Sequence, residues 1–142
     1  MNEKLELVLV KKYPGMFQLD NGFECDDGWF KLIDRLSYDV YAHFRKTKSG
    51  NKVIQVKEKF GGLRYYLGKP DKEVQSFVDI AQESSFNICE ICGDFGKLRF
   101  GGFVRTLCDK HAKEEGYEEN NKAKKTKIRS EVCSNITKKQ SL

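Results

Sequence analysis

Hydrophobic spacing divides the chain into helical and extended stretches. Residues 2–12 carry Leu5, Val8, Leu9 and Val10 at helical intervals and stop before Pro14 and Gly15, which predicts a short helix. Residues 17–25 read as a loop with a brief strand. Asp26 and Asp27 then offer N-cap oxygens ahead of Trp29, Phe30, Ile33, Leu36, Val40, Tyr41 and Phe44. Those positions recur at the helical period and predict the main helix, ending at the turn cluster 48–51. From Lys52 the period becomes two. Ile54, Val56, Glu58 and Phe60 alternate with Gln55, Lys57 and Lys59; after Gly61 and Gly62, Leu63, Tyr65 and Leu67 alternate with Arg64 and Tyr66. With the glycine pair as a two-residue primed turn, Phe60 faces Leu63, Lys59 faces Arg64, Glu58 faces Tyr65 and Lys57 faces Tyr66. Pro70 and Asp71 open another helix, whose apolar stripe is Val74, Phe77, Val78 and Ala81 and which ends near Ser84 and Ser85.

Cysteine spacing adds chemistry to this outline. Cys89 and Cys92 are separated by two residues, fifteen follow, and Cys108 and His111 are again separated by two. Such pairs let two side chains reach one tetrahedral ion from a single tight turn, and the interval suffices for a hairpin that returns the second pair. Gly93 suits the turn, and 98–100 with 103–107, around Gly101 and Gly102, read as the hairpin. The run from Asp109 looks helical. Knuckle, hairpin and ligand-bearing helix are the order of a treble-clef zinc finger, with Cys89, Cys92, Cys108 and His111 closing one structural Zn2+. Cys25 reads as a small buried residue and Cys133 as a free thiol. Either is an alternative to His111 as the fourth ligand.

Composition places the chain in the globular class: 142 residues, 39% hydrophobic and 33% charged. The expected fold is α+β, with helices packed on a β-hairpin, a C-terminal treble clef and a basic tail. Its units are a body at 1–88, a zinc finger at 89–121 and the tail at 122–142. Five cysteines, an odd number without an export signal, favour reduced thiols or metal ligands over disulfides. The apolar stretch 7–10 is too short to span a bilayer, so a cytoplasmic, membrane-free location is expected. The net charge of +5 lies in the tail, where seven Lys/Arg face Glu131 alone; residues 1–121 are net −1. The alkaline pI therefore says nothing about the folded domain.

The expected hairpin register sets Gln55, Lys57, Lys59, Arg64 and Tyr66 on one face, with Lys59 beside Arg64. Two like charges there would be relieved by an anion, and the glycines Gly61 and Gly62 would let a phosphate approach the backbone. Arg99 and Arg105 flank a second Phe-Gly-Gly, so both loops are candidates to line one groove. A solvated face paired to acidic helix residues is the competing reading. Glu58, on the core side, needs a partner such as a tyrosine hydroxyl or a helix lysine.

No catalytic residue is assigned. His43 lies late in the main helix, and 98–107 lacks the histidine a His-Asn-His nuclease needs. Glu24, Asp26, Asp27 and Asp34 could hold magnesium but ordinarily serve a helix N-terminus. Neither Gly-Gly has Walker or dinucleotide-binding spacing.

The segments ECDDGWFKLID at 24–34, QVKEKFGGLRYY at 55–66, CEICG at 89–93 and RTLCDKH at 105–111 resemble a family of small zinc-finger proteins encoded widely in bacteriophage genomes. The resemblance covers roughly residues 10–112. Members often carry cysteine where this chain has His111, and further cysteines upstream of the Cys25 position. It implies a phage accessory protein acting in the host bacterial cytoplasm and supplies no activity. The expected function is non-enzymatic binding of a phosphate-bearing ligand, nucleic acid or nucleotide, in host takeover or counter-defence. The alternative is a module that engages or inhibits a host bacterial protein, with zinc as a staple.

Overall fold

The computed structural model describes residues 1–117. The basic tail at 122–142, Cys133 and the end of the 89–121 unit lie outside them. The described residues form a mixed α+β fold of four α-helices and two small sheets.

Helix α1 (Glu3–Lys12) starts because the Asn2 side chain accepts from the Leu5 N–H at 3.0 Å. Glu3 and Glu6 in its first turn and Lys11 and Lys12 in its last match the helix dipole. Helix α2 (Phe30–Thr47) follows a 3₁₀ turn at Asp27–Trp29. The expected aspartate cap is not formed. Asp27 instead receives the Asn2 backbone N–H and Nδ2, both at 2.7 Å, while Asp26 pairs with Arg105. Among the described residues Glu24, Asp26, Asp27 and Asp34 form no metal-type cluster, and Asp34 takes Lys12 Nζ at 2.8 Å and the Tyr13 hydroxyl at 2.6 Å. The α2 helix buries Ile33, Leu36, Ser37, Val40 and Phe44 and ends where Lys48 takes a left-handed φ of 52°.

The main sheet runs β1 (Phe23–Glu24), β2 (Val53–Lys59), β3 (Gly62–Leu67), with β1 parallel and β3 antiparallel to β2. The hairpin exists, but its register lies two residues from the expected one. Lys57 pairs with Arg64, Glu58 with Leu63 and Lys59 with Gly62. The turn is therefore Phe60-Gly61, with φ of 53° and 78°, and Gly62 is an ordinary strand residue. An even slip preserves which face each residue occupies, so the polar and apolar sets survive while the Lys59–Arg64 pairing does not. Two apolar expectations also fail. An irregularity between Val53 and Gln55 leaves Ile54 43% exposed, and Phe60 stands at the turn, 56% exposed. Glu58 closes the turn by accepting the Gly61 N–H at 2.7 Å.

Helix α3 (Lys72–Ser85) is N-capped by Asp71, whose side chain accepts from Glu73 and Val74. Its stripe of Val74, Val78 and Ala81 joins α2 and the sheet around Trp29, Val56, Leu63 and Tyr65. The free edge of β3 is served by Ser85 Oγ, which accepts the Leu63 N–H at 2.9 Å. Beyond α3 come β4 (Lys97–Arg99), β5 (Arg105–Leu107) and helix α4 (Asp109–Glu114), with β4 and β5 antiparallel. Cys89, Leu107 and Ala112 form a second buried cluster there.

Candidate metal centre

The first ligand pair sits on a tight turn. The Gly93 N–H donates to the Cys89 carbonyl at 2.8 Å, the Cys89 N–H to that of Asp94 at 2.7 Å, and Gly93 has a φ of 81°. The second pair comes from the start of α4. Cys108 is its N-cap, the sulfur accepting from the His111 N–H at 3.4 Å, which sets Cys108 and His111 on one helical turn. The β4–β5 hairpin returns one pair to the other. All four ligand atoms lie within 4.8 Å of one another.

Their separations fit one tetrahedral ion. Metal–sulfur bonds of about 2.3 Å and a metal–nitrogen bond of about 2.0 Å give edges near ~3.8 Å between sulfurs and ~3.5 Å from sulfur to nitrogen. The observed distances are 3.9 Å for Cys92 to Cys108, and 3.5 and 3.2 Å from His111 Nδ1 to Cys89 and Cys108. Nδ1 is thus the nitrogen that faces the sulfurs, while His111 Nε2 lies 3.7 Å from a Glu114 carboxylate oxygen, ion-pair rather than hydrogen-bond distance. Burial pushes the Cys89 thiol up. The backbone N–H groups of Cys108, Cys92 and Ile91, with His111, outweigh that and bring it down to about 7. Cys92 is pushed up to about 12 by desolvation and by the sulfurs of Cys89 and Cys108 crowding it. A cation among them removes that crowding. Cys25 is buried in the main core, its thiol raised to about 12 chiefly by desolvation, and is not part of the cluster.

Several residues the sequence left unassigned bind this unit to the body. Trp29 Nε1 donates to the Ile88 carbonyl at 2.9 Å, and the Gly28 N–H to that of Glu90 at 2.7 Å. The Glu90 side chain, 4% exposed in a residue flanked by ligands, accepts the Asp26 N–H at 3.1 Å and Arg105 Nη2 at 3.2 Å. Burial pushes the Glu90 carboxyl up, and Arg105 and the Asp26 N–H pull against it. Thr106 Oγ1 donates to the Gly61 carbonyl at 2.6 Å, seating the first hairpin's turn on the second hairpin.

The eight residues expected to line an anion site fall into three groups. Lys57, Lys59, Arg64 and Tyr66 share the polar face of the main sheet, Lys57 and Arg64 as a direct cross-strand pair. Gly61 and Gly62 are buried under protein: a Cβ on Gly61 would stand 2.5 Å from Leu98 Cδ2, and one on Gly62 2.6 Å from Phe86 Cζ. Arg99 and Arg105 are held by their own carboxylates, Arg99 by Asp109 at 2.6 Å and Arg105 by Asp26, Glu90 and Glu115. A shallow depression of about 370 Å³ adjoins the sheet, lined by Gln18, Asp20, Asn21, Glu24 and Gln55 among others. Its charged groups are acidic, so the cations of this surface are Lys59 and the Lys57–Arg64 rung.

Comparison with protein-family models, with curated proteins and with solved structures found no match. No helix among the described residues is long and apolar enough to cross a membrane.

Proposed function

We propose that Cys89, Cys92, Cys108 and His111 hold one structural Zn2+ in a treble-clef finger, and that the chain binds a phosphate-bearing ligand, nucleic acid or nucleotide, without catalysing a reaction. Three sulfurs and one imidazole suit zinc, and with four protein ligands no position is left for water. The ion's work is then to hold knuckle and helix together. The resemblance over residues 10–112 extends this reading to a phage accessory protein in the cytoplasm of an infected bacterium, in host takeover or counter-defence.

The Lys57–Arg64 rung carries the ligand half of the reading. Two cations face each other across β2 and β3, and among the described residues neither has a carboxylate within 4.0 Å, the ion-pair distance. Like charges placed opposite each other destabilise a sheet unless an anion joins them. Arg64 is also partly desolvated, which lowers its pKa and sharpens its demand for a counter-charge, Tyr66 and Glu58 opposing that shift. Anisotropy titrations with a labelled oligonucleotide and a labelled nucleotide test this. The Lys57→Ala/Arg64→Ala protein should lose about tenfold or more in affinity, and the salt slope should flatten, with no fall in melting temperature. Unchanged affinity would contradict the reading.

A second reading, a module that engages a host protein, is favoured by α1, where Leu7, Val8 and Val10 remain 52%, 48% and 45% exposed.

A further inference from the structure

Phe60 occupies the first central position of the β2–β3 turn with φ of 53°, a place where asparagine or glycine fits without strain. The ring recovers little by burial, being 56% exposed, and Lys59 Nζ stands 5.7 Å from its centroid. Phe103, in the loop joining β4 to β5, is 81% exposed. The first tip packs against the base of the second hairpin. The Gly61 carbonyl takes the Thr106 hydroxyl, a Cβ on Gly61 would press on Leu98, and Leu98 and Thr106 are cross-strand partners one rung from Arg99 and Arg105, the base of the Phe103 loop. The acidic groups nearby are engaged: Glu58 by the Gly61 N–H, Asp109 by Arg99 and Glu115 by Arg105.

We infer that the paired hairpin tips are a stacking platform for single-stranded nucleic acid, bases lying on Phe60 and Phe103 and phosphates meeting Lys59 and the Lys57–Arg64 rung. The inference rests on the phosphate-ligand reading above and narrows it. A strained turn position is spent on an exposed aromatic ring beside a cation, the combination that single strands use: every base has a π-face to stack, and the backbone wants positive charge. Duplex bases are already stacked on one another, so a duplex offers only its phosphates.

Fluorescence anisotropy on the full chain decides the matter, with a mixed single strand of about twelve nucleotides, the same sequence as duplex, and ATP. The wild-type protein should hold the single strand about tenfold more tightly than the duplex. Phe60→Asn should weaken single-strand binding by about tenfold, leave duplex binding where it was and not lower the melting temperature, because asparagine relaxes the turn. Phe103→Ser should act in the same direction, its ring having little burial to lose. Equal affinity for single strand and duplex would overturn the inference. So would single-strand affinity that ignores both phenylalanine substitutions yet falls in Lys57→Ala/Arg64→Ala, and the phosphate reading would then survive alone. Failure of the wild-type chain to bind any of the three probes would overturn both.

Discussion

Gly28 packs directly against the backbone of the Cys89 turn. A Cβ there would stand 2.2 Å from the Cys89 carbonyl oxygen and 2.4 Å from that of Glu90. Both are backbone atoms of the knuckle and cannot swing aside as a long side chain can. Gly28→Ala is therefore expected to destabilise the metal-loaded protein by about 1–3 kcal/mol and to weaken metal retention. Thermal unfolding with and without a competing chelator measures both, and an unchanged melting temperature would contradict the close approach. Residue by residue, the sequence revealed the Cys/His cluster better than its neighbours. Two short Cys/His spacings name Cys89, Cys92, Cys108 and His111 because the chemistry is local. Whether the turn is Phe60-Gly61 or Gly61-Gly62 was not readable from the two glycines alone, since both lie against residues from distant segments, Gly61 beside Leu98 and Gly62 beside Phe86. Asp26 and Asp27 look like helix caps, but Arg105 and Asn2 claim them through tertiary contacts.

Among the elements, α1, α2 and α3 lie close to where the apolar periodicity sets them; α2 and α3 each bury one stripe, whereas α1 buries Leu9 alone and leaves the expected Val8 and Val10 exposed. Strand pairing was harder to read: alternation fixes which face a residue occupies, not which partner it meets. The α3 cap shows how such an element depends on its surroundings. Asp71 accepts from Val74 and Glu73 and lies 3.1 Å from Nε2 of His43 on α2, whose Nδ1 is 3.4 Å from Glu73. The Val74 N–H above all, with His43 and the Glu73 N–H, holds the Asp71 carboxyl below its ordinary value. The unfolded chain therefore binds that proton more tightly. The stabilisation is complete above the ordinary carboxylate value of about 4 and is lost as pH falls through the lower folded one. Asp71→Asn keeps a capping oxygen and discards the charge. Its melting temperature should trail the wild type near pH ~7 and converge on it as pH falls below the ordinary carboxylate range, metal loss being common to both proteins. A gap that stays constant with pH would exclude the charged cap as the cause.

At the scale of the whole molecule, the main hydrophobic core and a small second cluster are joined by polar contacts as well as apolar ones. Glu90 and Arg105 are the costly members. Removing Arg105 would leave the buried Glu90 carboxyl without its cation, a change that typically costs about 3–5 kcal/mol at a fully buried pair, so the network ties the second cluster to the body only while complete. None of this was legible in the sequence, since Asp26 lies 79 residues from Arg105 and 64 from Glu90. What the sequence did carry was the Cys/His spacing beside so small a second cluster: Cys89, Leu107 and Ala112 are too few to hold a fold, and the structural ion proposed above would supply the deficit, about 10 kcal/mol or more in isolated fingers. X-ray absorption at the zinc edge on the purified full chain tests that claim most directly. The expected shell is three sulfurs at about 2.3 Å and one imidazole nitrogen at about 2.0 Å, at one ion per chain. No bound zinc, a shell rich in oxygen, or four sulfurs displacing His111 would contradict it.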